Sequence, residues 1–309
     1  MLNIYQLESK VIFPIKLSKK YIGFTCASCV LFIWSSWIVA SRYGVLSSMT
    51  IFDLIAIRFG VSGVIVIPFI IYYKPWKTLT IFKMIVYSAL LGPIYMIFVF
   101  SGFIYAPASH SAVFFNGFLP FLTLLISFLW LKEKISKYQI LAISLILLGA
   151  FLILLDGANL NISKSWFGDL IFLCAGTLFA AYIVVSRAWK ITIPELLFCS
   201  SFINFIFYIP LWILFFPKNI FYVSNSELII QLGFQGIVPN LIGLLLVTIS
   251  VKHIGSGTTS AFLAGVPATA SILSILILNE HLGYQGWLGI LSLTPGIMML
   301  ALIESNEAN

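Results

Sequence analysis

Charged residues are scarce in this chain. Asp, Glu, Lys and Arg make up 9% of its 309 residues, whereas 61% are hydrophobic, and the mean hydropathy is +1.09. A typical soluble domain has about 25% charged and 45–50% apolar residues. The composition therefore excludes an ordinary soluble protein. The excess of 17 Lys and Arg over 10 Asp and Glu indicates membrane topology rather than nucleic-acid binding.

Cysteine and histidine are also rare, with four and three residues. The cysteines, Cys26, Cys29, Cys174 and Cys199, all lie in apolar stretches, which predicts buried, inert thiols rather than a disulfide framework. The pair Cys26-x-x-Cys29 has metal-site spacing, but no histidine or second cysteine pair is close to it in sequence. The chain also lacks the His-Glu-x-x-His, Gly-x-Ser-x-Gly and paired-aspartate patterns of intramembrane enzymes. We expect no enzyme activity, metal or cofactor.

Long apolar runs follow one another along the chain. A membrane-spanning helix needs roughly 20 mostly apolar residues, and the runs between charged or turn-forming residues predict ten such helices. Their connectors are too short for a soluble domain or for the re-entrant filter of a channel. The fold class is therefore an all-α integral membrane protein. The predicted spans are 22–41, 50–73, 81–104, 108–131, 137–155, 167–187, 195–216, 228–252, 258–279 and 284–303.

The distribution of Lys and Arg predicts the orientation, because positive residues are retained on the cytoplasmic side. With both termini cytoplasmic, 13 of the 17 basic residues lie in cytoplasmic segments. Only Arg42, Lys164 and Lys218 lie outside, and Arg58 lies within a span. This bias also supports the count of ten, since the loss of one helix would reverse every segment after it.

The second half of the sequence repeats the first. Pro120 and Pro267 are 147 residues apart, and the same offset separates Glu133 from Glu280. Each half has five spans, and this odd number gives the two halves opposite orientations, as in transporters that alternate between two open sides. Further pairs at offsets of 145 to 147 are Gly149 with Gly296, Pro93 with Pro239, and Trp34–Arg42 with Phe179–Arg187.

Several motifs in both halves have a familiar arrangement. They are Trp34-Ser-Ser-Trp37, Asp53-Leu-Ile-Ala-Ile-Arg58, Pro120 to Lys132-Glu133 and Pro267 to Asn279-Glu280. With these motifs the chain resembles the drug/metabolite transporter superfamily, EamA type. The resemblance implies two inverted five-helix halves that move small metabolites such as amino acids. We expect a cytoplasmic segment at 1–20, repeats at 21–155 and 166–303, a connector at 156–165 and a cytoplasmic tail at 304–309. Lys132 and Asn279 depart from the glycine that the family usually has before the Glu.

Arg58 is the first candidate for a functional residue. It lies about 12 Å along the second helix from Thr50, near the middle of the bilayer, where an unpaired Arg costs about 2.5–3.5 kcal/mol. Asp53 is on another side of the same helix, so we expect it to face Arg42 instead. Two interpretations stay open: Arg58 binds an anionic group of the substrate, or it braces the bundle.

Prolines and polar residues in the spans suggest where a cavity lies. Each proline removes a backbone hydrogen bond and kinks its helix, and paired kinks indicate a gating or cavity role. Polar and aromatic residues near them are candidate substrate contacts, with interhelical hydrogen bonding as the alternative. The gating candidates are Pro93, Pro120, Pro239 and Pro267. The predicted substrate-binding residues are Arg58, Tyr95, Asn116, Asn240, Asn204, Trp34, Tyr182 and His110, with Trp37 and Phe115 as further aromatic lining.

The two helix-end glutamates, Glu133 and Glu280, are interpreted as structural, with a gate role second. No acidic residue occupies the centre of a span, so the sequence does not indicate a proton-coupling site. Together the patterns predict a secondary transporter of small polar metabolites, amino acids or related zwitterions, in the inner membrane. The alternatives are efflux of hydrophobic cations and lipid flipping. The expected partners are a small-molecule substrate and the lipid bilayer, without nucleic acid, and a homodimer is left open.

Overall fold

The protein is described by a computed structural model that covers residues 19–159 and 164–307. Within these ranges, ten helices are long and apolar enough to cross a membrane, which confirms the all-helical fold and the ten predicted spans. The helices are α1 Lys20–Leu46, α2 Ile51–Tyr73, α3 Ile81–Tyr105, α4 Ala108–Leu131, α5 Lys137–Gly157, α6 Ser165–Trp189, α7 Ile193–Phe215, α8 Asn225–Ile254, α9 Gly257–Leu278 and α10 Tyr284–Ile303.

Parts of the predicted terminal and connecting segments lie outside the described residues. These parts are 1–18 of the N-terminal segment, 160–163 of the connector and 308–309 of the tail. The described helix ends differ from the predicted ones by a few residues. The helix α8 begins at Asn225 because Ser224 and Glu227 form a capping box, in which each side chain bonds the other's backbone N–H.

The helices α5 and α10 pack tightly against each other and form a symmetric scaffold. A Cβ atom on Gly149 would lie 2.6 Å from the carbonyl oxygen of Gly289. The repeat-related contact is the same, because a Cβ atom on Gly296 would lie 2.7 Å from the carbonyl oxygen of Ala142. Small residues let two membrane helices approach at backbone distance. The repeated glycines therefore hold the two halves together.

Four spans are interrupted at or beside the repeated prolines. In α3 the helix breaks at Leu91 and resumes at Pro93, and in α9 it breaks before Pro267. Pro120 follows a π-helical segment, 112–117, and Pro239 lies inside another, 232–243. By contrast, Pro68 and Pro295 lie inside continuous helices. Proline alone therefore does not interrupt a span, whereas the prolines at repeat-related positions lie at or beside interruptions.

The left-handed turns before the two glutamates explain one feature of the sequence. Lys132 and Asn279 end α4 and α9 with φ angles of 59° and 54°. Glycine adopts this conformation without a steric penalty. The turn that the resemblance implies is therefore kept in this chain by a lysine and an asparagine.

Two further expectations need correction. Cys29 and Cys174 are exposed on the outside of the bundle, whereas Cys26 and Cys199 are buried as predicted. Asp53 does not face Arg42. Its carboxylate instead accepts hydrogen bonds from the indole N–H of Trp212, at 3.1 Å, and from the backbone N–H of Asn219, at 2.9 Å.

Candidate functional site

A cavity of about 310 Å³ lies between seven of the helices. It brings together six of the eight predicted substrate-binding residues, namely Arg58, Tyr95, Asn116, Asn240, Trp34 and Tyr182. Pro239 and the predicted aromatic residues Trp37 and Phe115 also line it. This volume is at the lower end of the range for ligand pockets, roughly 300–1,000 Å³. We call it the central cavity.

Arg58 is held in the central cavity by contacts from α8 and α1. Its Nη2 atom donates to Oδ1 of Asn240 at 2.9 Å. Its guanidinium carbon lies 5.7 Å from the centre of the Trp37 ring, a cation–π distance. No carboxylate is among the described residues that line the cavity. The positive charge of Arg58 therefore has no anionic side chain beside it in the cavity.

Two hydrogen-bond donors of the cavity residues have no partner. Nη1 of Arg58 and Nδ2 of Asn116 are buried without a hydrogen bond to any described residue. An unsatisfied buried donor costs about 1–3 kcal/mol, and more when it is charged. Both donors require an acceptor, and the combination of a guanidinium and an amide suits a carboxylate or a similar anionic group.

Aromatic rings form much of the remaining wall. Tyr95, Phe115 and Phe179 lie with their ring centres about 6 Å apart. The Tyr182 ring stacks on Phe179 at 5.7 Å and 10°. Such faces suit an apolar group or a cation. The lining of the cavity therefore combines the polar groups of Arg58 and Asn116 with an aromatic wall.

A layer of glutamines positions the polar residues of the cavity. Oε1 of Gln235 accepts a hydrogen bond from the Trp37 indole at 2.9 Å, and its backbone oxygen accepts one from Asn240 at 3.0 Å. Gln235 in turn donates to Gln231 at 3.0 Å, and Gln231 donates to the carbonyl oxygen of Ala40 at 2.8 Å. Sequence reasoning missed both glutamines, although two amides four residues apart in an apolar span were a visible signal.

Three π-helical segments contribute to the lining. Asn116 comes from 112–117, Asn240 from 232–243, and Ser200 and Ser201 from 198–203. Such segments widen a helix locally and are frequent at functional sites. The two serines were not predicted, because serine is common in membrane helices and no repeat marks this pair.

The other two predicted residues lie elsewhere. Asn204 is buried beside the break in α3, and its amide donates to the backbone oxygens of Ser88, Cys199 and Ser200 at 3.1–3.2 Å. His110 is buried at the start of α4 and bonds Asp169. Neither is among the residues that line the central cavity.

An ion pair closes one end of the bundle, which we call the Arg42 face. Nε of Arg42 lies 2.9 Å from Oε1 of Glu280, and the two side chains are 15% and 11% exposed. The other carboxylate oxygen of Glu280 accepts a hydrogen bond from the backbone N–H of Ala108 at 2.9 Å. Arg42 also donates to the carbonyl oxygen of Phe103. The turn between α3 and α4 is therefore docked on the ion pair by two backbone contacts.

The repeat-related ion pair lies at the opposite end, which we call the Arg187 face. Nη2 of Arg187 is 2.7 Å from Oε1 of Glu133 and 3.1 Å from Oγ of Ser127. The Arg187 and Glu133 side chains are 57% and 49% exposed, far more than their counterparts. A cavity of about 580 Å³ lies beside this pair, between α4, α5 and α6. We call it the vestibule.

The repeat equivalents of vestibule residues are packed. Thr123 and Ile183 line the vestibule, whereas Ala270 and Ile38, at offsets of 147 and 145, have no exposed surface. Ile183 also lines the central cavity, so the two cavities share a wall residue. At these two positions the bundle is packed near the Arg42 face and borders a cavity near the Arg187 face.

Ten membrane-spanning helices around a central cavity define a multi-pass membrane transporter. The chain belongs to the EamA-like transporter family, whose model matches residues 21–155 and 166–302. It is similar to a solved chain titled only as a crystal structure of a protein, with 19% identity and a TM-score of 0.62 over 94% of this chain and 98% of that one. This second likeness supports the fold alone. Among curated proteins no relative matches.

Proposed function

We propose that the protein is a secondary active carrier of small polar metabolites, amino acids and related zwitterions, that alternates access to the central cavity between two membrane faces. The observation that carries the substrate class is the pair of unpartnered donors. Nη1 of Arg58 and Nδ2 of Asn116 have no hydrogen-bond acceptor among the described residues, and no carboxylate lines the cavity. A carboxylate of the substrate would supply the kind of acceptor that these donors lack, and the aromatic wall suits its ammonium or apolar group.

The cavity argues against both alternative substrates. A hydrophobic cation would be repelled by Arg58, and no lining carboxylate among the described residues neutralises it. A two-chain lipid is far larger than a cavity of about 310 Å³. An amino acid or small organic acid matches both the charge and the size of the site.

The difference between the two faces supports alternating access. Since the halves are repeats of opposite orientation, each local arrangement at one face is available to the other. At the Arg42 face the turn between α3 and α4 docks on Arg42 and Glu280. The equivalent turn between α8 and α9 has Ser250 and Gly255 at the positions of Phe103 and Ala108. In the second state this turn docks on Arg187 and Glu133, while the first turn is released.

The orientation follows from the basic residues. Thirteen of the 17 basic residues lie on one membrane face, the face at which α1 begins. Arg187 is one of these thirteen residues. On this basis we place the Arg187 face and both termini on the cytoplasmic side, and we propose the inner membrane as the location. In this orientation the structure is closed outward and hollow toward the cytoplasm.

A ligand screen on purified full-length protein tests the substrate class. The thermal unfolding midpoint is measured with individual amino acids, organic acids, nucleosides and tetraphenylphosphonium. A ligand at 100 times its Kd stabilises by about 2.7 kcal/mol, which is readily measured. Amino or organic acids are expected to stabilise the wild type and not Arg58→Ala.

The screen includes two controls. Lys77→Ala removes an exposed positive charge outside the cavity and is expected to respond as the wild type does. Arg58→Lys keeps the charge but loses the planar fork, and we expect weakened stabilisation from the same ligands. Stabilisation of all variants by tetraphenylphosphonium alone would contradict the proposed substrate class.

A further inference from the structure

The first turn of α4, residues 108–111, is held from two sides. On one side its Ala108 N–H donates to Glu280 at the end of α9, which closes the Arg42 face. On the other side Nδ1 of His110 lies 2.9 Å from Oδ1 of Asp169 on α6. The histidine comes from the first half and the aspartate from the second. This buried pair plays no part in the central cavity.

Burial makes the charge of this pair costly. The His110 and Asp169 side chains are 1% and 3% exposed. Oδ2 of Asp169 is buried without a hydrogen-bond partner among the described residues. The same is true of Oγ of Ser111, the residue that follows His110. With a neutral imidazole the pair carries one buried negative charge. With one more proton, on Nε2 of the imidazole, it becomes an ion pair with no net charge.

The repeat has no second copy of this pair. The positions equivalent to His110 and Asp169 are Gly257 and Phe24, at offsets of 147 and 145. A titratable pair is therefore present at the Arg42 face and absent from the equivalent place at the Arg187 face. An ionisable pair buried at a contact between two membrane-spanning helices is a candidate functional site.

We infer that His110 and Asp169 form a proton-binding site, and that a proton bound there favours docking of Glu280 on the first turn of α4. The inference rests on the proposed alternation between two faces. The expected effect of the proton on docking follows from the charges. An imidazolium beside this turn attracts the Glu280 carboxylate, whereas an unneutralised Asp169 repels it. The closed Arg42 face thus holds one proton more than the open face.

Three other charged groups, besides Glu280, lie around the turn. Arg42 is already paired with Glu280 across the turn. Asp156, at the end of α5, accepts from the backbone N–H of Gly283 at 2.9 Å and adds negative charge near the site. Lys164 is exposed at the start of α6. Histidine is the side-chain type that commonly binds and releases protons near neutral pH.

Two readouts on the full-length protein test the proton site. The first is the ¹⁵N NMR signal of the imidazole rings between pH 5 and 9, which is assignable because the chain has three histidines. The second is the distance between spin labels on Ile104 and Tyr284, both exposed at the Arg42 face, in a background without native cysteines. We expect His110 to lose one proton as the pH rises and the label distance to lengthen over the same range.

Variants separate the site from its surroundings. His110→Gln and Asp169→Asn are each expected to remove the pH dependence of the label distance, whereas His281→Gln, an exposed histidine next to Glu280, is expected to keep it. An unchanged protonation state of His110 over this range overturns the inference. A pH-dependent distance that persists in His110→Gln overturns it as well. If one variant fails to fold, the other variant and the wild-type NMR signal still test whether His110 and Asp169 bind the proton.

The proton site and the proposed substrate class fail independently. Arg58→Ala is expected to abolish stabilisation by amino and organic acids but to leave the pH-dependent label distance intact. A ligand screen without response, together with a normal proton-linked distance change, would contradict the substrate class alone. A normal ligand response without any titration of His110 would contradict the proton site alone.

Discussion

The two faces of the bundle are built from repeated sequence, yet they are arranged differently. At the Arg42 face the Arg–Glu pair is largely buried and carries the turn between α3 and α4. At the Arg187 face the equivalent pair is about half exposed and borders a vestibule of about 580 Å³. The scaffold formed by α5 and α10 is symmetric, because its glycine contacts recur in both halves. The asymmetry therefore resides in the two faces, as the proposed alternating access would require.

The largest effect is expected from locking the closed face. Cysteines in place of Ala108 and Glu280, joined by a short reducible cross-linker, prevent the first turn of α4 from leaving α9. Transport of an acid identified by the ligand screen should fall to background in proteoliposomes and return after reduction. The untreated double variant is the reference. Undiminished transport by fully cross-linked protein would show that this face does not need to open.

Removing one carboxylate from each ion pair should have unequal effects. Glu280→Gln leaves the buried Arg42 without its charge partner and is expected to destabilise the protein by about 3–5 kcal/mol. Glu133→Gln removes the partner of a half-exposed arginine, for which about 0–1 kcal/mol is expected. Denaturant unfolding of the two purified variants measures both values. Equal losses of stability would contradict the difference in burial.

The scaffold, by contrast, should respond equally in both halves. A side chain at Gly149 or Gly296 meets a backbone oxygen of the facing helix, so the helices must separate. Gly149→Leu and Gly296→Leu are each expected to cost about 1–3 kcal/mol in unfolding free energy. A large effect at one position and none at the other would mean that α5 and α10 do not form a symmetric pair.

The smallest effect concerns the two left-handed turns. Lys132 and Asn279 have positive φ angles, which glycine adopts without strain. Lys132→Gly is expected to raise stability by at most about 1 kcal/mol, and Asn279→Gly by less, because asparagine tolerates this conformation better than lysine. Thermal unfolding midpoints compare the two. Destabilisation by Lys132→Gly would show that the lysine side chain has a role of its own.

Much of the fold was predictable because the bilayer imposes a simple rule. A run of roughly 20 apolar residues has to be a helix, and repeated landmarks such as Pro120 and Pro267 relate the halves. Most of the lining of the central cavity was predictable for the same reason, since Arg58 and Asn116 are conspicuous in apolar spans. Their role in binding the substrate stays a prediction.

The ion pairs at the two faces could not be predicted from sequence because their contacts join distant helix ends. Arg42 and Glu280 are 238 residues apart, and His110 and Asp169 are 59 apart. Sequence reasoning treated the glutamates as isolated helix ends and considered each acidic residue without its partner, so it predicted neither pair. Under the proposed alternation, which of the two faces is packed depends on the conformational state, and one amino-acid sequence has to encode both states.

Thiol accessibility at repeat-related positions tests the central claim most directly. Thr123→Cys lies in the vestibule and Ala270→Cys at its packed equivalent, each in a background without native cysteines and probed with a membrane-impermeant reagent from either side. Reciprocal behaviour is expected: Thr123→Cys reacts from the cytoplasmic side in the resting protein, and Glu280→Gln shifts reactivity to Ala270→Cys from the opposite side. Simultaneous reactivity of both positions from their two sides, or a failure of Glu280→Gln to change either, would contradict alternation between two gates.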